Sequence, residues 1–374
     1  MPNSTTKPSR IIIFDLIRGW AIIQVLLYHL SLFFLDKKII TKADGFKENI
    51  LRFGNPLNYF LASGYQGVHL FLIISGFLLT LSCYHKQSPV LTFYKKRLKR
   101  ILIPYYPVWL ICLGLIVLST NLPFLQNFSK PVSLAVLIKT LLFPFYFDFD
   151  SSLLSQINRA WWFLPLILEL YLIFPLLLKL AKKVSLTTFS ILIFLITFHY
   201  RLMASFYLQG SPIGVVYQSL GGSSPFILFP ARLFEFSLGI CLGLLYLKNK
   251  NVLNKLNSLP SLILGLILQF IGTVFSFYQS TWSLSDPVIS LGVLLISINL
   301  CFWLAKVKPL KNLLLFLGNL SYPIYLIHYL LLTSFLVPFL SLNMGKIIYL
   351  SLLPIYFITL IIMAKIVQAI DNKF

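Results

Sequence analysis

The chain reads as an all-α membrane protein, a polytopic bundle of about ten transmembrane helices with both termini cytoplasmic. Three observations predict this. Of the 374 residues 58% are hydrophobic and only 11% charged, with a mean hydropathy of +0.86. A soluble domain is nearer half apolar and a quarter charged, so a chain like this lacks the polar surface to cover a globule. The apolar residues also fall in runs of roughly 20, the length that crosses a bilayer. Finally, a net charge of +21, from 31 Lys+Arg against 10 Asp+Glu, is concentrated in alternate connections between those runs. Together these exclude a soluble enzyme and the disordered, collagenous and disulfide-framework classes.

In chain order the apolar runs cover 11–35, 61–83, 101–120, 161–180, 185–207, 229–247, 258–280, 287–305, 313–338 and 346–369. The first follows a short basic tail, residues 1–10, with no small-residue cleavage site. Asp15 and Arg18 interrupt it, so it reads as a retained span rather than a removed signal. Val132–Phe147 is apolar but short and broken by Lys139 and Pro144, which suits a re-entrant or interfacial segment. An eleventh span there would invert every later loop. The whole chain, 1–374, is expected to form a single integral membrane domain, with no soluble domain appended.

Charge sets the orientation. Most of the basic residues lie at the termini and in the connections after the second, fourth, sixth and eighth runs, as at Lys95–Arg100, Lys179/Lys182/Lys183, Lys248/Lys250/Lys255 and Lys306/Lys308/Lys311. Such connections face the cytoplasm. Residues 36–60 disagree, with five basic groups outside, diluted by Asp36, Asp44 and Glu48. The positive charge is thus first a topology signal, and nucleic acid is not an expected partner. Nineteen tyrosines and six tryptophans fit interfacial belts better than a base-stacking platform. Cys83, Cys112, Cys241 and Cys301 are far apart, mostly within apolar runs, and read as buried structural thiols.

An ionisable side chain in hydrocarbon is costly and is a functional candidate by default. The first run holds three. Arg18 and His29 are 11 positions apart, so they share a helix face and stand about 16 Å apart along its axis. Asp15 lies one turn below Arg18 and can pair with it. Spacing alone leaves two readings open: a cation and a proton-transfer group aligned along a path through the membrane, or a structural ion pair with an interfacial histidine. In the second run Ser75-Gly76 gives a close-packing site. Arg97 and Arg100 share one side of the third helix, where they either clamp phosphate or act as topology anchors. Arg232 and Glu235, three apart, form an intramembrane pair that is either structural or lines a cavity. His85 and His199 lie near span ends and read as interfacial. No His, Cys or carboxylate cluster has metal-ligand spacing, so no metal is expected.

These residues carry a family resemblance. R-x10-H from Arg18 to His29, the Gly67–Leu78 segment G-V-x-L-F-x-x-x-S-G-F-L, and F-Y-x-x-R-x-x-R at Phe93–Arg100 resemble motifs of the acyltransferase-3 family. Trp162-Phe163-Leu164 with Tyr171-Leu172 and Pro175-Leu176 follows in the same order. So do Arg232-Leu233-Phe234-Glu235-Phe236 with Gly239, and Leu317–Tyr322 with Tyr325-Leu326 and His328. The resemblance runs from about residue 10 to 340 and is strong as an ordered set, although each piece alone is weak. Two departures stand out. His69 occupies a position that is acidic in many relatives, and Pro165–Leu168 replaces a polar segment, leaving Glu169 as the substitute acidic group.

The resemblance implies an integral membrane O-acyltransferase of the compact form, lacking an extracytoplasmic hydrolase-like domain. It would take acetyl or succinyl groups from cytoplasmic acyl-CoA to a surface polysaccharide or lipid-linked glycan in a bacterial plasma membrane. His29 and Arg18 would be catalytic, His29 as general base on the acceptor hydroxyl or as a transient acyl carrier. Arg97 and Arg100 would hold the anionic end of acyl-CoA. Asp15, Ser75, Glu169, Arg232, Glu235, Tyr322 and His328 would line or support the cavity. Acyl-CoA would act as a donor substrate, with no tightly bound cofactor. The alternative from a different class is an exporter or flippase for the same glycan.

Overall fold

The computed structural model describes residues 11–34, 59–61, 63–85, 89–119, 137–138, 140–141, 158–208, 225–336 and 346–373, with the side chains of 115–119, 159 and 346–350 left aside. Among these residues there is no strand, and ten helices reach 17 residues or more. They are α1 (Ile12–Phe34), α2 (Gly67–Cys83), α3 (Val90–Ser119), α4 (Phe163–Lys183), α5 (Leu186–Phe206), α6 (Phe229–Lys248), α7 (Leu259–Phe275), α8 (Trp282–Leu304), α9 (Lys308–Leu331) and α10 (Lys346–Asp371). Eight of the helical stretches are long and apolar enough to cross a membrane. α7 is apolar but shorter, and α3 begins with the basic run. The protein is therefore an all-α, multi-pass membrane protein. Side chains such as Leu259 and Phe270 on α7 and Leu176 on α4 are each 68% exposed. An apolar exterior of that kind belongs against lipid.

Three predicted elements begin earlier than expected, α9 among them, which starts at Lys308 with Pro309 in its first turn rather than at 313. α3 starts at Val90 because Lys95–Arg100 continues the helix: Lys, Arg and Leu are good helix formers, and nothing breaks the run before Pro104. α8 starts at Trp282, which brings Asp286 inside the helix rather than before it. The basic tail 1–10 and the loop 36–60, apart from residues 59–60, lie outside the described residues, as does all of Val132–Phe147 except 137–138 and 140–141.

Glycines set the tightest helix contacts. A Cβ on Gly76 of α2 would come within 2.1 Å of the Phe236 carbonyl oxygen, and one on Gly239 of α6 within 2.0 Å of that of Ile73. α2 and α6 therefore pack backbone to backbone, in the same direction. Gly19 and Gly318 do the same at the crossing of α1 and α9, each against a carbonyl of the other helix. Small residues give this approach in membranes, where burial alone supplies no drive for helices to associate. The two largest apolar clusters share α1, α2, α6 and α9, the helices that these glycine contacts join.

Candidate active site

α1 carries the two residues around which the site is built. Near its start, Arg18 Nη1 donates to Asp15 Oδ1 at 3.3 Å. Beside them lies a cavity of about 200 Å³ between α1, α2, α3, α4, α9 and α10. Its walls bring together Arg18, Ser75, Arg97, Arg100 and Tyr322, which the sequence singled out separately, and Asp371 of α10. Three guanidinium groups thus face one small space. Burial lowers the Arg97 guanidinium from its ordinary value and Arg100 acts in the same direction, yet a guanidinium keeps its proton in any protein environment. An anion is the natural counterpart of such a cavity.

The cavity wall is fixed by two local devices. The Tyr322 hydroxyl donates to the Ile101 carbonyl at 2.8 Å, tying α9 to α3. Pro323, within α9, removes the N–H that would bond the Asn319 carbonyl. That carbonyl instead accepts from Gln368 Nε2 of α10 at 3.0 Å. The proline therefore creates a docking point for the helix that closes one side.

Farther along α1, His29 Nδ1 lies 3.0 Å from the Val25 carbonyl oxygen and 3.3 Å from His328 Nε2. A carbonyl only accepts, so the neighbouring groups assign the proton of His29 to Nδ1. His328 Nδ1 likewise lies 2.8 Å from the Tyr325 carbonyl and carries its proton there. Its Nε2 is then a lone pair facing the His29 N–H. Two backbone carbonyls thereby fix both tautomers and leave His29 Nε2 unprotonated, as a base or nucleophile requires. The rings of Tyr28 and Tyr329 stand edge-on to His29, each with its centroid 5.3 Å away. His328 is fully buried, whereas His29 is half-buried and reachable.

A clasp holds the His328 segment. Asn158 Nδ2 and Trp161 Nε1 donate to the Leu326 carbonyl at 3.1 and 3.0 Å, and the Tyr325 hydroxyl donates to the Ala160 carbonyl. The Tyr356 hydroxyl of α10 donates to the His328 carbonyl at 3.0 Å. Tyr325 also lines the Arg18 cavity, and its ring centroid is 5.9 Å from that of His328. Cavity and histidine pair are thus joined through one side chain.

A buried charge network stands on the other side of α2. Asp286 Oδ2 accepts from Arg201 Nη1 at 2.7 Å and faces Arg232 Nη1 at 2.8 Å. Arg232 Nη1 also donates to Glu235 Oε1 at 3.2 Å, and His69 bridges Glu235 at 3.2 Å and Asp286 at 3.7 Å. None of the five is more than 2% exposed. Two guanidiniums and two carboxylates balance in formal charge, the condition on which buried ions are tolerated. The network joins α2, α5, α6 and α8, away from the Arg18 cavity, and Arg232 and Glu235 belong to it rather than to the cavity wall. Glu169 is also apart from the cavity: it accepts from the Phe229 N–H at 2.9 Å, in the first turn of α6. A carboxylate there satisfies an orphan donor and meets the positive end of the helix dipole.

The family model described as an acyltransferase domain, acyltransferase-3, matches residues 11–367, nearly the whole chain. The chain belongs to the acyltransferase-3 family. It is accordingly an acyltransferase enzyme of the membrane. No curated protein and no solved structure matches the chain.

In this acyltransferase, sequence reasoning missed Arg201 and Asp286. Arg201 sits inside an apolar run, a signal that by itself marks a buried partner. Asp286 lies just before the 287–305 run, outside every apolar stretch, where a carboxylate carries no signal of burial. The His69 departure gains a physical setting: a histidine between two carboxylates occupies a place that suits a hydrogen-bonding bridge. Among the described residues no group of three or more His, Cys, Asp or Glu forms a metal-holding cluster.

Proposed function

We propose that this membrane acyltransferase moves an acetyl or succinyl group from cytoplasmic acyl-CoA to a hydroxyl of an extracytoplasmic polysaccharide or other surface glycan. In this reading it sits in a bacterial plasma membrane with ten spans and both termini in the cytoplasm. The observation that carries the proposal is the arrangement along α1: a cavity lined by Arg18, Arg97 and Arg100 at the basic end, and an unprotonated imidazole nitrogen of His29 farther along the same helix. The ten-span topology draws support from the basic residues gathered in alternate connections of the sequence, and from the parallel packing of α2 and α6, two helices that it runs in the same direction.

The chemistry follows from the tautomer. His29 Nε2 takes the proton of the acceptor hydroxyl as its oxygen attacks the thioester carbonyl. The carbon–sulfur bond breaks, and the proton passes to the departing CoA sulfur, leaving an ester and free CoA. While His29 is doubly protonated, its Nδ1–H stays between the Val25 carbonyl and His328 Nε2, both acceptors, which stabilise the transient positive charge. His328 is a positioning residue in this scheme. At about 200 Å³ the cavity is below the usual size of a drug-sized ligand pocket, so it suits the slender arm of the donor, with the anionic pyrophosphate at its end against the guanidiniums, better than the whole nucleotide.

The test restores a gene-deletion strain with wild type or His29→Ala and counts alkali-labile esters on isolated surface glycan by mass spectrometry. The proposal expects esters with wild type and none with His29→Ala. Full esterification with His29→Ala contradicts the catalytic role. Undiminished esters on a reduced amount of surface glycan in the deletion strain would favour an exporter instead.

A further inference from the structure

A second cavity, of about 330 Å³, adjoins the first at the basic end and shares Arg97 with it. It lies between the end of α2, the start of α3 and the end of α4. Besides Arg97, its lining carries Lys96, Lys179 and Lys182, and no carboxylate. None of these cations has a carboxylate partner among the described residues. Lys179 and Lys182 are one turn apart on α4, so they share a face. Lys182 Nζ is oriented by the Tyr84 carbonyl at 2.7 Å and the Tyr84 ring at 4.3 Å.

Three features separate this place from a row of topology anchors. Lysines that only mark the cytoplasmic side need not share a hollow, and these line one together with Arg97. Arg97 Nη2 reaches Ser82 Oγ at a long 3.4 Å, while its Nε is buried without any hydrogen-bond partner, so this cation has donor capacity left unused. The cavity also has an aromatic wall: Phe93 stacks on Phe174 at 5.5 Å, with the Arg97 guanidinium over the Phe93 ring. Cations beside a flat apolar wall match a phosphorylated aromatic heterocycle.

We propose that this cavity is a phosphate-binding subsite for the phosphorylated nucleotide end of the acyl donor, with Lys96, Arg97, Lys179 and Lys182 as its cations. The inference rests on the acyl-CoA reading above and divides the donor between two chambers. The small chamber takes the arm toward His29, and the larger one holds the nucleotide at the basic end. Arg97, common to both, sits where arm and nucleotide meet.

Phosphate is also carried by lipid headgroups, and the experiment separates the two sources. Full-length protein is placed in nanodiscs of phosphatidylcholine, or of phosphatidylcholine with phosphatidylglycerol. Binding of CoA and of dephospho-CoA, which lacks the 3′-phosphate, is measured for wild type and Lys179→Gln/Lys182→Gln, both exposed positions. Cys83 lines the cavity and is half-exposed, whereas the other three cysteines are buried, so its maleimide labelling reports occupancy. Adenosine 3′,5′-bisphosphate, which has no thiol, is the competitor.

In phosphatidylcholine, wild type should bind CoA about tenfold more tightly than dephospho-CoA, the weight of a hydrogen bond to a charged group. The bisphosphate should slow Cys83 labelling. The double variant should lose both effects while still binding dephospho-CoA. Equal binding of the two compounds by wild type, or an undisturbed preference in the variant, overturns the subsite while leaving the acyl-CoA reading standing. Protection of Cys83 by phosphatidylglycerol and not by the bisphosphate assigns the cavity to lipid and likewise overturns it. Wild type that binds neither compound overturns the acyl-CoA reading itself.

Discussion

Asp286→Leu probes the buried network most sharply. Asp286 Oδ2 stands 2.7 Å from Arg201 Nη1 and 2.8 Å from Arg232 Nη1, two short contacts between opposite charges. A hydrogen bond to a charged group contributes roughly 1.5–3 kcal/mol, so losing two costs about 3–6 kcal/mol. Removing one partner of a buried ion pair costs about 3–5 kcal/mol by a separate route, because a charge is left uncompensated. The expected loss is therefore about 3–5 kcal/mol, a large share of the roughly 5–15 kcal/mol by which proteins are stable. The readout is thermal unfolding in detergent, followed with a thiol-reactive dye through Cys112, Cys241 and Cys301, which are buried until the bundle opens. A companion variant, Arg201→Met/Asp286→Leu, leaves Arg232 paired with Glu235 and balanced in charge, so it should recover most of the loss. If Asp286→Leu unfolds within about 1 kcal/mol of wild type, the charges are not coupled through Asp286 and the reasoning fails.

Other consequences are simpler to state. Gly239→Leu should prevent assembly of α2 against α6, since even a Cβ meets the Ile73 carbonyl at 2.0 Å; monodisperse protein in normal yield would contradict this backbone contact. His328→Phe removes the acceptor for the His29 N–H and should lower turnover about two- to tenfold, the value of one ordinary hydrogen bond, with acyl-CoA affinity unchanged; His328→Gln should restore part of it by offering an oxygen. A loss confined to donor affinity would place His328 in binding instead. Glu169→Leu strips an acceptor from the first turn of α6 and should cost about 1–2 kcal/mol in the same unfolding assay, whereas Glu169→Gln, which keeps an accepting oxygen, should cost less.

Much of this molecule is legible in the sequence where the signal is local. Runs of apolar residues gave the helices, and the i,i+3 spacing of Asp15 with Arg18 and of Arg232 with Glu235 anticipated both pairs. Ser75-Gly76 pointed to close packing, and Gly76 lies directly on α6. What depends on how distant helices meet was not legible. Arg201 and Asp286 are brought together by the packing of α5 against α8, and no spacing within either segment encodes it. His328 stood out as part of a motif, but its place 3.3 Å from His29 follows from the crossing of α1 and α9 at Gly19 and Gly318. The early start of α3 was hidden because a run of lysine and arginine resembles a loop by charge while favouring helix by propensity. The second cavity was hidden too, since Lys179 and Lys182 are indistinguishable from topology anchors until Arg97 is seen beside them.

In the proposed reaction donor and acceptor meet from opposite ends of one passage along α1, with His29 at the meeting point. Sealed inverted membrane vesicles from a gene-deletion strain, carrying glycan inside and the reintroduced protein in the membrane, test it directly. Acyl-CoA with a labelled acyl group is added outside, and alkali-labile label on lumenal glycan is counted. Label is expected with wild type, none with His29→Ala, and none in right-side-out vesicles, where the donor meets the wrong face. Equal labelling by His29→Ala, or in vesicles of either orientation, would contradict it.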